Sequence, residues 1–423
     1  MAALNAEDYR TIDEQLAATD ALLESAYPGD RDVRQPVHTV YVPADRYDPA
    51  MPSAWGKQAL ATVAEHGGTA AVCAELGLDG DLAAQVAGKV TAKLEREPIE
   101  DLRLDFEDGY GNRGDEQEDA DVRNAAAAVV QAVNDGVAPP FIGIRFKCFE
   151  APTRARGLRT LDLFVSELCA AGELPEGLVL TLPKVSTVAQ VEAMVYACQR
   201  LEAAHGLPER RLGFEVQMET PQLILGADGR VPVAELLHRA EGRITSLHYG
   251  TYDYSASLGI AAAYQSMEHP AADYAKQVMQ VAVAGTGIHL SDGSTNILPL
   301  GDAKNVVAAW KLHGRLVRRS LERGYYQGWD LHAAQLPTRY IATYAFYREG
   351  FAAAAQRLRN YVHQLDSAIM DEPATAKALA KFVHRGVECG AVGEAEVQEA
   401  AGVSADELAS LARSGAVSPV AVA

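Results

Sequence analysis

Apolar and polar positions along this chain follow two alternating periods. Residues 4–26 place Leu16, Leu22 and Leu23 at helical spacing, which predicts a leading helix. The run VHTVYVPAD (37–45) is β-rich and closes on Pro and Asp, as a strand does at its end. Ala-rich helices are predicted across 56–97, broken near Gly67–Gly68 and Gly77–Gly80. From LRLDFED (102–108) onward, short β-rich runs precede helix-period segments. That run precedes a helix over 120–135, and FIGIRFK (141–147) precedes one over 157–172, where Leu158, Leu161, Phe164 and Leu168 keep helical register. LVLTLPK (178–184) leads to 187–204, LGFEVQMET (212–220) to 231–241, and ITSLHYG (244–250) to 271–284. GIHLSD (287–292) leads to 302–323, and GWDLHAA (328–334) is the last strand candidate.

Eight strands, each followed by a helix, imply parallel pairing with both faces of the sheet covered. Eight such units in about 310 residues fit an α/β chain folded as a (β/α)8 TIM barrel. A doubly wound sheet would usually carry a glycine-rich phosphate loop after an early strand. The Gly285-Thr286-Gly287 segment comes late, precedes a strand, and reads as a turn. The tail after about 366 reads as short amphipathic helices, the last of them capped around Ser404, Asp406 and Glu407. The expected organisation is an N-terminal helical extension (1–36), a barrel (37–345) and a small helical C-terminal region (346–423).

Composition narrows the function. The chain has 423 residues, 48% of them hydrophobic, so a sizeable core is expected rather than wholesale disorder. Its formal charge is −19, a field that repels phosphate backbones and anionic lipid and argues against nucleic acid or membrane partners. Cys73, Cys148, Cys169, Cys198 and Cys389 are scattered and form no CxxC pair, which argues against a disulfide framework or structural zinc. No apolar run reaches the length of a membrane span, and the N-terminus has no basic then apolar leader. A cytoplasmic protein is expected.

In a parallel barrel, functional groups gather where strands end. Those ends carry Asp105, Glu107 and Asp108, then Arg145 and Lys147, then Lys184, then Glu215, Gln217 and Glu219. His248, Tyr249 and Asp253 follow, then His289 and Asp292, then Asp330, His332 and Gln335. Converging carboxylates repel unless a cation sits among them, and an oxygen-rich set suits Mg²⁺ or Mn²⁺. Arg145 offers a planar fork for a substrate carboxylate. Taken singly, each residue has a plainer explanation: Asp253 as a helix cap, Asp108 in a solvated turn, Lys184 as a structural bridge to Glu219 or Asp105, and His332 as a structural histidine. Their recurrence at nearly every strand end favours a site.

The motifs, taken together, resemble the citrate lyase β-subunit and malyl-CoA lyase family, within the class II pyruvate aldolase superfamily of phosphoenolpyruvate/pyruvate-type TIM barrels. VYVPAD is similar to its opening strand, LDFEDGY to its D-x-E-D motif, IGIRFK to its arginine strand, and LPKVST to its P-K-V-E strand. VQMETPQLIL, LHYGTYDYSASLG, SDG and GWDLHAAQL follow in the family's order, over about 38–340; the last departs from the family's H-P-x-Q by reading HAAQ. The resemblance implies a Mg²⁺-dependent carbon–carbon lyase or aldolase acting beside a carboxylate. It implies Glu219 and Asp253 as metal ligands, Arg145 as the substrate clamp, and Asp105, Glu107 and Asp108 as supports of the metal site. Lys184 joins the catalytic candidates. The general acid or base is sought among Asp292, His332 and, after them, Asp330. A histidine's ordinary pKa near 6.5 lies closer to neutrality than an aspartate's near 3.9, so His332 needs less tuning to carry a proton. The partner is a small anionic substrate, a 2-oxo acid or an acyl-CoA. Two other readings stand beside the aldolase: a CoA-thioester lyase or synthase such as malyl- or citramalyl-CoA lyase, and a catalytically silent barrel used for binding. A trimer or hexamer of identical chains is the implied assembly.

Overall fold

The computed structural model describes residues 3–172, 174–365 and 371–414. Eight strands are formed: β1 (His38–Pro43), β2 (Asp101–Asp105), β3 (Phe141–Arg145), β4 (Leu178–Leu182), β5 (Phe214–Met218), β6 (Ile244–Tyr249), β7 (His289–Ser291) and β8 (Gly328–Asp330). The first helices are α1 (Ala6–Ala26), α2 (Met51–Glu65), α3 (Thr69–Glu75), α4 (Gly80–Arg96) and α5 (Asp115–Asn134). After them come α6 (Arg154–Ala171), α7 (Val188–His205), α8 (Pro232–Arg239), α9 (Thr251–Ser257), α10 (Pro270–Val283) and α11 (Ala303–Glu322). The chain closes with α12 (Leu336–Val362), α13 (Pro373–Glu388), α14 (Glu394–Ala401) and α15 (Ala405–Ser414).

All strand pairings are parallel, in the order β7-β6-β5-β4-β3-β2-β1-β8. The ring is completed by a single parallel bridge, Ser291 to Gln327, with the Asp292 amide donating to the Gln327 carbonyl at 2.9 Å. The result is the expected (β/α)8 barrel.

Alternation along the strands divides two environments. Val40, Leu102, Leu104, Ile142, Ile144, Leu180, Val216 and Leu247 are buried against the helical layer and form the apolar core. The other face fills the barrel with polar groups, because its contacts join strands that are not neighbours. Arg103 on β2 donates to Glu215 on β5 at 2.8 Å and to Thr181 on β4 at 3.1 Å, and it also pairs with Asp101. His248 lies 3.0 Å from Glu215, and Trp329 donates to His248 at 3.1 Å. Burial alone would raise the Glu215 carboxyl, but Arg103 and His248 outweigh it and hold the group well below its ordinary range. Removing Arg103 would leave the buried Asp101 without a cation and Glu215 with His248 alone. Arg103→Met is therefore expected to lower unfolding free energy by about 3–5 kcal/mol, read by urea denaturation at neutral pH. Unchanged stability would mean that the interior carboxylates are protonated.

Residues 27–36 pack against the barrel: the Gly29 amide donates to Gly285 at 2.8 Å, and Gln35 donates to the Leu290 carbonyl at 3.0 Å. Helix α1, beyond them, has no buried residue. At the other end, α12 runs through residue 345, so the expected division there falls inside one continuous helix. Buried Val383, Val397, Leu408 and Leu411 join the same core, and Tyr344 on α12 donates to the Cys389 carbonyl at 2.8 Å. The cap expected at Ser404 is present: the Glu407 amide donates to its hydroxyl at 3.3 Å, and the Glu407 carboxylate accepts from the Ser404 amide at 2.8 Å.

Candidate active site

The C-terminal ends of β2 to β6 bring together Asp105, Glu107, Asp108, Arg145, Lys184, Glu219 and Asp253. Asp105 ends β2 and receives Arg145 on both oxygens, Nε on Oδ1 and Nη2 on Oδ2, each at 2.7 Å. Backbone amides of Glu107 (2.9 Å) and Gly109 (2.7 Å) complete its shell. A side chain at position 109 would put Cβ 2.7 Å from Asp105 Oδ2, so glycine is needed for that approach. The remaining prong of Arg145, Nη1, lies 3.4 Å from Glu107 and 3.5 Å from Gln217. The Tyr41 ring packs 4.9 Å from the guanidinium. The bidentate clamp expected for a substrate carboxylate is thus held by Asp105, and Nη1 is the edge left to a ligand.

Lys184 pairs with Glu107 and with Asp108, the latter at 2.7 Å. Burial would lower its ammonium, yet Glu107 and Asp108 outweigh that and raise it, so it stays cationic. Its backbone is strained, with φ at +48°, a region that non-glycine residues seldom occupy. That turn aims the Lys184 amide at Glu219 Oε2, 3.1 Å away. The bridge from Lys184 to Glu219 therefore exists through the backbone, while the ammonium serves the β2 loop.

Glu219 is the most perturbed carboxyl of the group. It is 2% exposed, and burial, reinforced by Asp253 and Glu107 and opposed by Arg145, pushes it up to about 8. Asp253, in the first turn of α9, makes no hydrogen bond or ion pair with another described residue. Gly250 backs the pair: a Cβ there would fall 2.2 Å from Glu219 Cγ. Gly250→Ala must displace Glu219, and a loss of divalent-cation affinity of at least about tenfold is expected by calorimetry, with the helical circular dichroism unchanged.

The donor set fits a cation of the Mg²⁺ or Mn²⁺ kind. Five carboxyl groups meet two fixed cations, Arg145 and Lys184, and the buried Glu219 carries a cost that a divalent ion beside Asp253 would remove. No three His, Cys, Asp or Glu groups among the described residues form a ready-made cage. Water and substrate oxygens would complete the shell, as is usual for Mg²⁺.

The proton-transfer candidates are placed differently. Asp292 is 1% exposed, and its carboxylate accepts from Lys276 on α10 at 2.8 Å and Ser320 on α11 at 2.6 Å, so it faces the helical layer. Asp330 likewise is held by His38 (2.8 Å), His313 (3.0 Å) and Arg339 (2.9 Å) outside the barrel interior. Parity carried both signals, since Asp292 lies two residues from the outward Leu290, and Asp330 follows the inward Trp329. His332 is half-buried at the end of β8, where burial lowers its pKa and Nδ1 accepts from the Ala334 amide at 3.1 Å. Reading strand ends alone missed Tyr41, although its alternation with Val40 and Val42 marks it as inward.

The fold and this cluster define a TIM barrel with an acidic cluster, crossed by Arg145 and Lys184, at the C-terminal ends of its strands. The chain belongs to the family described as a domain of unknown function, DUF6986, which matches residues 16–415. No curated protein sequence matches it. Among solved structures, it is similar to a Haloferax volcanii malate synthase magnesium/glyoxylate complex, at 15% identity over 90% of this chain and 99% of that one, TM-score 0.49. It is similar to a citrate lyase beta subunit from M. tuberculosis complexed with oxaloacetate and magnesium, at 18% identity over 72% and 96%, TM-score 0.41. An HpcH/HpaI aldolase/citrate lyase family protein from Burkholderia cenocepacia stands at 16% identity over 78% and 96%, TM-score 0.40.

Proposed function

We propose that this protein is a carbon–carbon lyase of the aldolase type, which cleaves or forms a bond beside the carboxylate of a 2-oxo acid with the help of Mg²⁺ or Mn²⁺. The observation that carries the reading is the buried Glu219, raised to about 8 beside an unpaired Asp253, within reach of the Arg145 charge. Glu219 and Asp253 would hold the cation, which when bound supplies charge stabilisation to an enolate. Arg145, oriented by Asp105 and Tyr41, offers Nη1 to a substrate oxygen. Lys184 holds Glu107 and Asp108 in place, and its amide orients Glu219. With Asp292 and Asp330 engaged elsewhere, His332 is the remaining candidate for proton handling; it is neutral near pH 7 and, with Nδ1 accepting from the Ala334 amide, has its Nε2–H to donate.

Calorimetric titration of Mg²⁺ together with pyruvate or oxalate tests the proposal. Oxalate binding that requires the metal and no CoA supports it. A requirement for CoA would move the assignment to a thioester lyase or synthase. Absence of metal-dependent binding would make the barrel a silent one.

A further inference from the structure

Helix α1 stands apart from the rest of the molecule. None of its residues is buried, yet Tyr9, Ile12, Leu16 and Leu23 form an apolar stripe at spacings of three, four and seven, with exposures of 41–55%. Asp8, Asp13 and Asp20 flank that stripe, and six carboxylates against Arg10 give the helix a charge of −5 (1 − 6). Such a stripe is the mark of a helix that packs on something.

Two α1 helices packed on each other would set these aspartates against one another at the flanking positions that decide coiled-coil pairing, which opposes a homotypic coil. The matching surface lies elsewhere. Between α6 and α7 runs a groove of about 860 Å³ with Leu158, Leu161, Ala193, Tyr196, Ala197 and Leu201 along it. Tyr196 is 64% and Leu158 38% exposed, an unusual amount of apolar surface for one groove. Its lining carries Arg154 and Arg200, neither of which has a carboxylate partner among the described residues, alongside Arg159, which pairs with Asp119, and one carboxylate, Asp162, which accepts from the Ser166 hydroxyl, so the unpaired cations outnumber it. A groove of similar size between α3 and α11, about 870 Å³, offers no such charge: Lys311, Arg315, Arg318 and Arg319 are already paired with Glu75, Glu268, Glu322, Glu349 and Asp273.

We propose that α1 docks on a second copy of this chain, with its apolar stripe in the α6–α7 groove and its aspartates toward Arg154 and Arg200. The chain's own α1 leaves the body beside α8, where Tyr27 meets His238 at 5.5 Å, and the partner's groove receives it. The contact is independent of the reaction assigned to the barrel.

Light scattering of the full chain across a concentration series is the test. An assembly of two or more chains is expected. Leu16→Asp, Tyr196→Asp and Arg200→Glu, all at exposed positions, should each weaken it at least about tenfold while leaving the circular dichroism unchanged. A wild-type chain that stays monomeric throughout overturns the proposal. So does an assembly that loses strength with Leu16→Asp but not with Tyr196→Asp, since α1 would then sit on another surface. An Arg200→Glu variant that assembles as tightly as the wild type overturns the charge match.

Discussion

Glu219→Gln is expected to abolish tight Mg²⁺ binding and to remove its pH dependence. In the metal-free protein the Glu219 carboxyl titrates near 8, because it is buried beside Asp253 and Glu107. A cation must displace that proton, so wild-type affinity should rise about tenfold per pH unit below 8 and level off above it. The sign for stability runs the other way. The folded protein binds a proton at Glu219 between the ordinary carboxyl value and about 8 while the unfolded chain does not, so metal-free stability from this group falls as pH rises through that window. Added Mg²⁺ should therefore raise Tm more at pH 8 than at pH 6. In Glu219→Gln both the pH slope of affinity and that difference disappear, and the variant itself should be no less stable than wild type at pH 8. Thermal shift and calorimetry read these without any substrate. Wild-type affinity in Glu219→Gln would remove Glu219 from the site, and the same result in Asp253→Asn would remove its neighbour.

Arg145→Lys is expected to weaken oxalate binding in saturating Mg²⁺ by about 10²–10³-fold while changing Mg²⁺ affinity little. The guanidinium does three things at once: it holds Asp105 with two prongs at 2.7 Å, lies under Tyr41, and turns Nη1 toward Glu107 and Gln217. A lysine keeps the charge but has one nitrogen, so it can satisfy Asp105 or face the ligand, not both. Burial of the site adds a stability cost of a few kcal/mol, because Asp105 loses a planar partner inside the protein. Oxalate affinity within a factor of two of wild type would exclude Arg145 from substrate contact.

Much of this molecule is legible in the order of its residues. β-rich runs alternating with helix-period segments imply parallel strands covered on both faces, and their number, eight, with no glycine-rich loop after an early strand, favours a barrel over a doubly wound sheet. Glu215, Gln217 and Glu219 share a face by simple alternation, and the structure turns that face inward. What the rhythm does not show is which neighbour each charge chooses. Asp292 looks like a mouth residue because it ends a strand, but β7 is only three residues long and closes the ring through one bridge. Its parity follows Leu290 outward to Lys276 and Ser320. The α12 helix similarly crosses a point where composition suggests a boundary, because its buried face packs on the barrel helices and on the C-terminal helices alike.

By itself, then, the sequence determined the barrel, the end of it at which charged residues gather, and the residue types gathered there, since period and strand position depend only on local order along the chain. Tertiary structure alone decided the pairings. Arg145 reaches Asp105 with two prongs because β2 and β3 lie side by side in register, Asp105 opposite Arg145. Glu219 meets the Lys184 amide because a left-handed turn after β4 points it there. Such contacts join residues tens of positions apart, and their distances are set by strand register and barrel closure, which no local pattern encodes.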